Sequence, residues 1–100
     1  MFFELRQYRC KPGKREEWVQ FMEEEVIPYQ VSKGMVVVGS FVGLEEDDLY
    51  VWIRRFDSEE DRERLYANTY QCDEWVNDLG PRCSEMLYDE KMVITRIEPT

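Results

Sequence analysis

The stretch Asp48-Leu49-Tyr50-Val51-Trp52-Ile53-Arg54-Arg55-Phe56 decides the fold. In an extended chain, Leu49, Val51 and Ile53 fall on one side and Tyr50, Trp52, Arg54 and Phe56 on the other. Alternation with a period of two, carried by β-branched and aromatic residues, predicts a strand over 49–56. The aliphatic side suits a core beneath helices. Three rings and a guanidinium on the opposite side are more apolar area than a solvent face carries. A partner subunit, a ligand or both are expected to cover it.

Upstream, Met35-Val36-Val37-Val38-Gly39-Ser40-Phe41-Val42-Gly43 reads as another strand, with Gly39 marking a bulge or a close approach. The acidic run Leu44–Asp48 has hairpin length, so the two strands pair antiparallel. Residues 2–10 form the first strand, with Glu4, Arg6 and Tyr8 on one side and Phe3 and Leu5 on the other. Pro12-Gly13 makes a turn. A helix follows over 14–33, with Trp18, Phe21, Met22, Val26 and Tyr29 at helical spacing. Pro28 should kink or loosen it, and Gly34 should stop it. Downstream, Asp57 with Glu60 resembles a capping box for a helix over 58–68. A short helix with Trp75, Val76 and Leu79 is expected to stop at Gly80-Pro81, with a further turn carrying Met86 and Leu87. A last strand over 91–98 ends at Pro99.

The order βαββαβ predicts a single α+β domain over 1–100. It is a ferredoxin-like sandwich: an antiparallel four-stranded sheet with both helices on one face. The other face is left bare. It is expected to be the one bearing Tyr50, Trp52, Arg54 and Phe56, joined by Glu4, Arg6 and Tyr8. Two copies packing those faces together would give a homodimer closed around a cavity.

Composition narrows the partners. The formal charge of −9 disfavours nucleic acid and anionic membranes, which require a basic patch. No apolar run is long enough to span a bilayer. Charges interrupt Met1-Phe2-Phe3-Glu4-Leu5-Arg6 too early for a signal peptide, so a cytoplasmic location is expected. Cys10, Cys72 and Cys83 form no C-x-x-C pair and read as reduced thiols. The chain has no histidine. Ser-His and Cys-His nucleophile pairs and His-ligated zinc or haem are therefore ruled out. The acidic runs 23–25 and 45–48 lack the spacing of a calcium loop. No metal and no cofactor is expected.

Glu4-Leu5-Arg6-Gln7-Tyr8, Lys11-Pro12-Gly13-Lys14, Val51-Trp52-Ile53-Arg54-Arg55-Phe56, Trp75 and Arg96-Ile97-Glu98-Pro99 occur in this order along the chain. Together they resemble the NIPSNAP family. The resemblance implies a dimeric α/β barrel and carries over no catalytic set. Similar barrels include cofactor-free monooxygenases, isomerases, cyclases and haem-degrading enzymes. Those that depend on a histidine find no match here.

The candidate catalytic residues are Glu4, Arg6, Tyr8 and Arg54, and the candidate substrate-binding residues Tyr50, Trp52 and Phe56. A carboxylate beside two guanidiniums is held ionised and could act as acceptor or base. Tyr8 could donate to a developing oxyanion, Arg54 could bind an enolate, carboxylate or carbonyl oxygen, and the rings could stack a planar molecule. The pattern points to a small-molecule enzyme: an isomerase, a cyclase or a cofactor-independent oxygenase acting on an aromatic or polyketide-like substrate. The alternative is a non-catalytic barrel that binds a ligand or a protein, in which the Glu-Arg pair satisfies itself and the rings only pack. Trp18, Phe21 and Trp75 read as core. Cys10, without a basic partner, is not a nucleophile.

Overall fold

Leu49–Phe56 (β3) lies inside a four-stranded antiparallel sheet in the computed structural model, which describes residues 1–100. The sheet order is β2-β3-β1-β4, with β1 at Phe2–Arg9, β2 at Val36–Val42 and β4 at Val93–Ile97. Helices cover one face, which is the βαββαβ sandwich read from the sequence. The β1–β3 register sets Glu4 opposite Arg54, Arg6 opposite Trp52 and Tyr8 opposite Tyr50. Gly39 behaves in both expected ways. The β2–β3 register shifts between Val37 and Gly39, and the Phe41 ring lies so close over Gly39 that an added Cβ would meet it at 2.6 Å.

The first helical rod runs as α1 (Arg15–Phe21), a π-helical turn (Met22–Val26) and α2 (Ile27–Ser32). Pro28 accounts for the widened turn. It lacks an N–H and its ring crowds the carbonyl four residues earlier, so the ladder loosens and Ile27 N–H bonds the Met22 carbonyl. Gly34, with a φ of 104°, ends the rod as expected. The second rod starts at α3 (Glu59–Tyr70). Its N-cap is Ser58, which accepts from the Asp61 N–H at 3.1 Å, and not the expected Asp57.

Gly80-Pro81 does not stop the following helix. A π turn at Trp75–Leu79 passes directly into α4 (Gly80–Met86), with Gly80 N–H bonded to the Trp75 carbonyl. Pro81 lacks an N–H as Pro28 does, and the widened π turn before it makes room for its ring in the same way, so the helix continues where a stop was expected. A 3₁₀ turn at Asp89–Lys91 shortens the last strand from its expected start at 91. No helix is long and apolar enough to cross a membrane.

The main correction concerns the faces. Tyr50, Trp52, Arg54 and Phe56 are not bare: each is at most 2% exposed, beneath the helices of its own chain. Glu4 and Tyr8 lie there too. Trp18, Phe21, Met22 and Val26 from the first rod pack with Tyr8, Tyr50 and Trp52 in one core cluster. The open face carries the aliphatic row instead. Leu49, Val51 and Ile53 are half-buried, as is Leu5, while Phe41, Val93 and Ile97 are exposed. Alternation sorts side chains into two sets without saying which set receives the helices. Here the ring-rich helices match the ring-rich face. A cavity walled by these six residues between two copies is therefore excluded, and Trp52 is not an interface residue.

A cavity between the sheet and the helices

Arg54 is the fixed point of the polar network. Its side chain is fully buried, which is tolerable only because opposite charge and acceptors surround it. Nη2 donates to Glu4 Oε1 at 2.8 Å and to the Tyr66 hydroxyl at 2.8 Å. Nη1 donates to Gln30 Oε1 at 2.8 Å and to the Tyr70 hydroxyl at 2.6 Å. The guanidinium also sits 4.8 Å from the centre of the Trp52 ring. Register alone brings Arg54 to Glu4; α2 supplies Gln30 and α3 supplies Tyr66 and Tyr70.

Glu4 is saturated from the helix side. Tyr66 donates to the carboxylate at 2.7 and 2.8 Å, and Arg62 Nε reaches Oε2 at 3.0 Å. Burial pushes its carboxyl up. The Tyr66 hydrogen bond, the Arg54 charge and hydrogen bond and the Arg62 hydrogen bond outweigh it and hold the pKa at about 2. Glu4 is thus a permanent anion and a poor base, which departs from the role expected for it.

Arg6 turns the network toward open space. Its Nε donates to the Tyr8 hydroxyl at 2.7 Å, Nη1 to Tyr66 at 3.2 Å and Glu4 at 3.4 Å, and Nη2 to the Met92 sulfur at 3.5 Å. Burial raises the Tyr8 pKa, against the Arg6 charge and hydrogen bond, so Tyr8 is a protonated phenol at neutral pH. Its oxygen already accepts from Arg6, and its proton has no acceptor within the chain. Tyr70 is arranged alike: its oxygen accepts from Arg54 and from Gln30 Nε2 at 3.1 Å, and its proton is unassigned.

Both phenols face a cavity of about 310 Å³ between the sheet and the two rods. Arg6, Tyr8 and Trp52 line it from the sheet, with Trp18, Gln30, Tyr70 and Trp75 from the helices. The volume lies at the small end of ligand cavities. All three tryptophans of the chain are in its wall. The π turns contribute Met22, Val26 and Trp75, as such turns often do at functional sites. Gly80 lets Trp75 close in: a Cβ there would stand 2.9 Å from the Trp75 indole nitrogen. Cys83 also borders the cavity, but burial pushes its thiol up to about 12, which makes it inert. Cys10, pushed up by burial to about 11, is as unreactive as expected.

The structure therefore divides the expected site residues. Glu4, Arg6, Tyr8 and Arg54 do converge through hydrogen bonds, within a single chain. Arg6, Tyr8 and Trp52 reach the cavity, whereas Glu4 and Arg54 stand behind its wall. Tyr50 is elsewhere, sharing a 2.6 Å hydrogen bond with Ser40 under Trp18. Phe56 packs with Met35 and Leu65 in a separate cluster. Gln30, Tyr66 and Tyr70 were not anticipated, and Trp18 and Trp75 were expected only as core. A signal existed for part of this. Arg62, Tyr66 and Tyr70 recur at i, i+4, which places them on one helix face.

The NIPSNAP family profile matches residues 3–96. Among solved structures, a NIPSNAP family protein of unknown function from Agrobacterium tumefaciens is 27% identical, with a TM-score of 0.88. That match covers all of this chain and 88% of the other. An uncharacterised NIPSNAP domain protein from Burkholderia xenovorans is 19% identical with a TM-score of 0.87, covering 100% and 95% of the two chains. An antibiotic biosynthesis monooxygenase is 14% identical with a TM-score of 0.70, covering 100% and 99%, a likeness of fold alone. No functionally curated protein matches the chain.

Proposed function

We propose that this chain, which belongs to the NIPSNAP family, is a cytoplasmic small-molecule enzyme: an isomerase, a cyclase or a cofactor-independent oxygenase. Its substrate is an aromatic or polyketide-like molecule held in the cavity under the helices. One observation carries the reading. Tyr8 accepts from the nearly buried Arg6 guanidinium and Tyr70 from the buried Arg54 guanidinium, and each keeps a proton with no acceptor, in an aromatic-walled space of about 310 Å³. An O–H polarised in this way is suited to stabilise charge developing on a substrate oxygen. The roles shift from those expected. Tyr8 is the donor and Arg6 its activator. Trp52, joined by Trp18 and Trp75, supplies the ring wall. Glu4 and Arg54 position the donors, and Tyr50 and Phe56 pack.

A panel of fused-ring ketones and phenols, incubated with the protein in air and followed by mass spectrometry, tests the reading. Turnover of at least one compound is expected, and Tyr8→Phe should slow it about a hundredfold while binding changes less. Absence of product across the panel would leave the second reading, a ligand-binding barrel. That reading is favoured by a specific feature: the carboxylate of the network is too weak a base and too well covered to take a substrate proton.

The partner we propose is a second copy of the chain. Leu5, Val51, Ile53, Phe41, Val93 and Ile97 form an apolar open face, which a small two-layer domain gains by covering. Val51→Glu should then lower the mass measured by light scattering at micromolar concentration from dimer to monomer. An unchanged mass would remove that face as the interface.

A further inference from the structure

We infer that the cavity takes its ligand as a planar monoanion, with the negative charge spread onto a ring-conjugated oxygen that sits at the Tyr8 and Tyr70 hydroxyls in front of Arg6. The inference rests on the reading of the cavity as a small-molecule site and adds the charge class of the molecule.

The first ground is an unanswered charge. Arg6, Arg54 and Arg62 all turn to one buried carboxylate, that of Glu4. Arg62 has a second partner at the surface, Glu59, at 3.3 Å. Glu4 is committed to Arg54 at 2.8 Å. Arg6, only 11% exposed, is left with one 3.4 Å contact to the same oxygen that Arg54 and Tyr66 already use. A nearly buried guanidinium needs a counter-charge. The only acid in the cavity lining is Asp89, which is exposed at the rim and stays hydrated.

The second ground is an excess of donors. Besides the two phenolic protons, the indole N–H of Trp18 is buried and has no partner, and that of Trp52, also buried, has at most the Tyr8 oxygen that Arg6 already uses. Both rings line the cavity. The wall thus offers more protons than its buried groups can accept, since the Gln30 oxygen is taken by Arg54 and Ser84 and Asp89 lie exposed. Water could accept from the hydroxyls, but water cannot answer the charge on Arg6. A compact anion such as phosphate would lose too much hydration among three tryptophans, whereas an enolate or phenolate-type oxygen on a fused ring loses less and stacks as well.

The test compares 4-hydroxycoumarin, a planar enolic acid that is ionised at neutral pH, with uncharged coumarin of the same two-ring outline. Binding to the intact protein is measured by calorimetry and by tryptophan fluorescence. The anion is expected to bind at least about tenfold more tightly. Tyr8→Phe and Tyr70→Phe should each weaken the anion about tenfold or more, as loss of a hydrogen bond to a charged group does. Coumarin should change less than about twofold in the same variants, since it brings no charge for those donors to meet. Equal or tighter binding of coumarin, binding of neither compound, or full anion affinity in both phenylalanine variants would overturn the inference. The two readings fail separately. Anion preference without turnover of any compound leaves the inference standing and removes the enzyme. Turnover with a preference for neutral molecules does the reverse.

Discussion

Replacing Arg54 by methionine tests whether the buried network holds the site together. The variant keeps a long flexible side chain but removes five hydrogen bonds, those to Gln30, Tyr70, Glu4, Tyr66 and the Met35 sulfur. Glu4 would stay buried with only Arg62, a distant Arg6 and Tyr66 to face it. Removing one partner of a buried ion pair costs about 3–5 kcal/mol. In a 100-residue domain, 1 kcal/mol moves the Tm by about 4–8 °C, so a fall of about 12 °C or more is expected. The assays are thermal unfolding for the Tm and urea unfolding for the free energy, both at fixed chain concentration, because association would otherwise alter the midpoints. The double variant Glu4→Gln with Arg54→Met should be less unstable than the sum of the two single variants. The coupling expected is about 1–3 kcal/mol, since the residue left behind is then uncharged. An Arg54→Met protein within about 0.5 kcal/mol of the parent, or strict additivity in the cycle, would refute the claim that Arg54 and Glu4 act as one unit.

Three further perturbations follow from the same geometry. The Glu4 pKa is lowered from 4.5 to about 2 on folding, so its contribution is fully present above pH 4.5 and is lost as pH falls toward 2. The loss amounts to at most about 3 kcal/mol, and unfolding free energies measured through this window should lose that slope in Glu4→Gln. Gly80→Ala should destabilise: its Cβ would lie 2.9 Å from the Trp75 carbonyl, and overpacking of about 1–3 kcal/mol outweighs the ~1 kcal/mol gained in helix propensity. Trp75 fluorescence should shift as the indole is displaced, and a stabilised, spectrally unchanged variant would contradict the close packing. Ser58→Ala should cost about 1 kcal/mol in the same unfolding assay by uncapping α3, whereas Asp57→Ala should cost little.

What could be read from the sequence, and what could not, divides along physical lines. Period-two alternation fixed the Leu49–Phe56 strand and its grouping of side chains, because Cβ direction in a strand is set by the backbone alone. It also placed Glu4, Arg6 and Tyr8 on the face of Tyr50, Trp52 and Arg54 once the strand order was known. The identity of the covered face is a tertiary choice. It depends on Trp18 and Tyr66 in the helices finding partners in the sheet, Tyr8 and Tyr50 for the one and Phe56 for the other, and no single segment contains that information. Gln30, Tyr66 and Tyr70 escaped notice for the same reason. Each reads as an ordinary polar or half-polar helix position until Arg54 brings them together. Gly80-Pro81 misled because glycine and proline look alike whether they end a helix or open its next turn.

The proposed binding of a small molecule in the space lined by Trp18, Trp52 and Trp75 is open to direct test by fluorine NMR. The protein labelled with 5-fluorotryptophan has three fluorine resonances, one for each tryptophan. Titrated with 4-hydroxycoumarin and followed by fluorine NMR, all three should shift together and saturate at one common concentration. Resonances that stay fixed while calorimetry reports binding would place the ligand elsewhere on the molecule and exclude the tryptophan-lined cavity as its site.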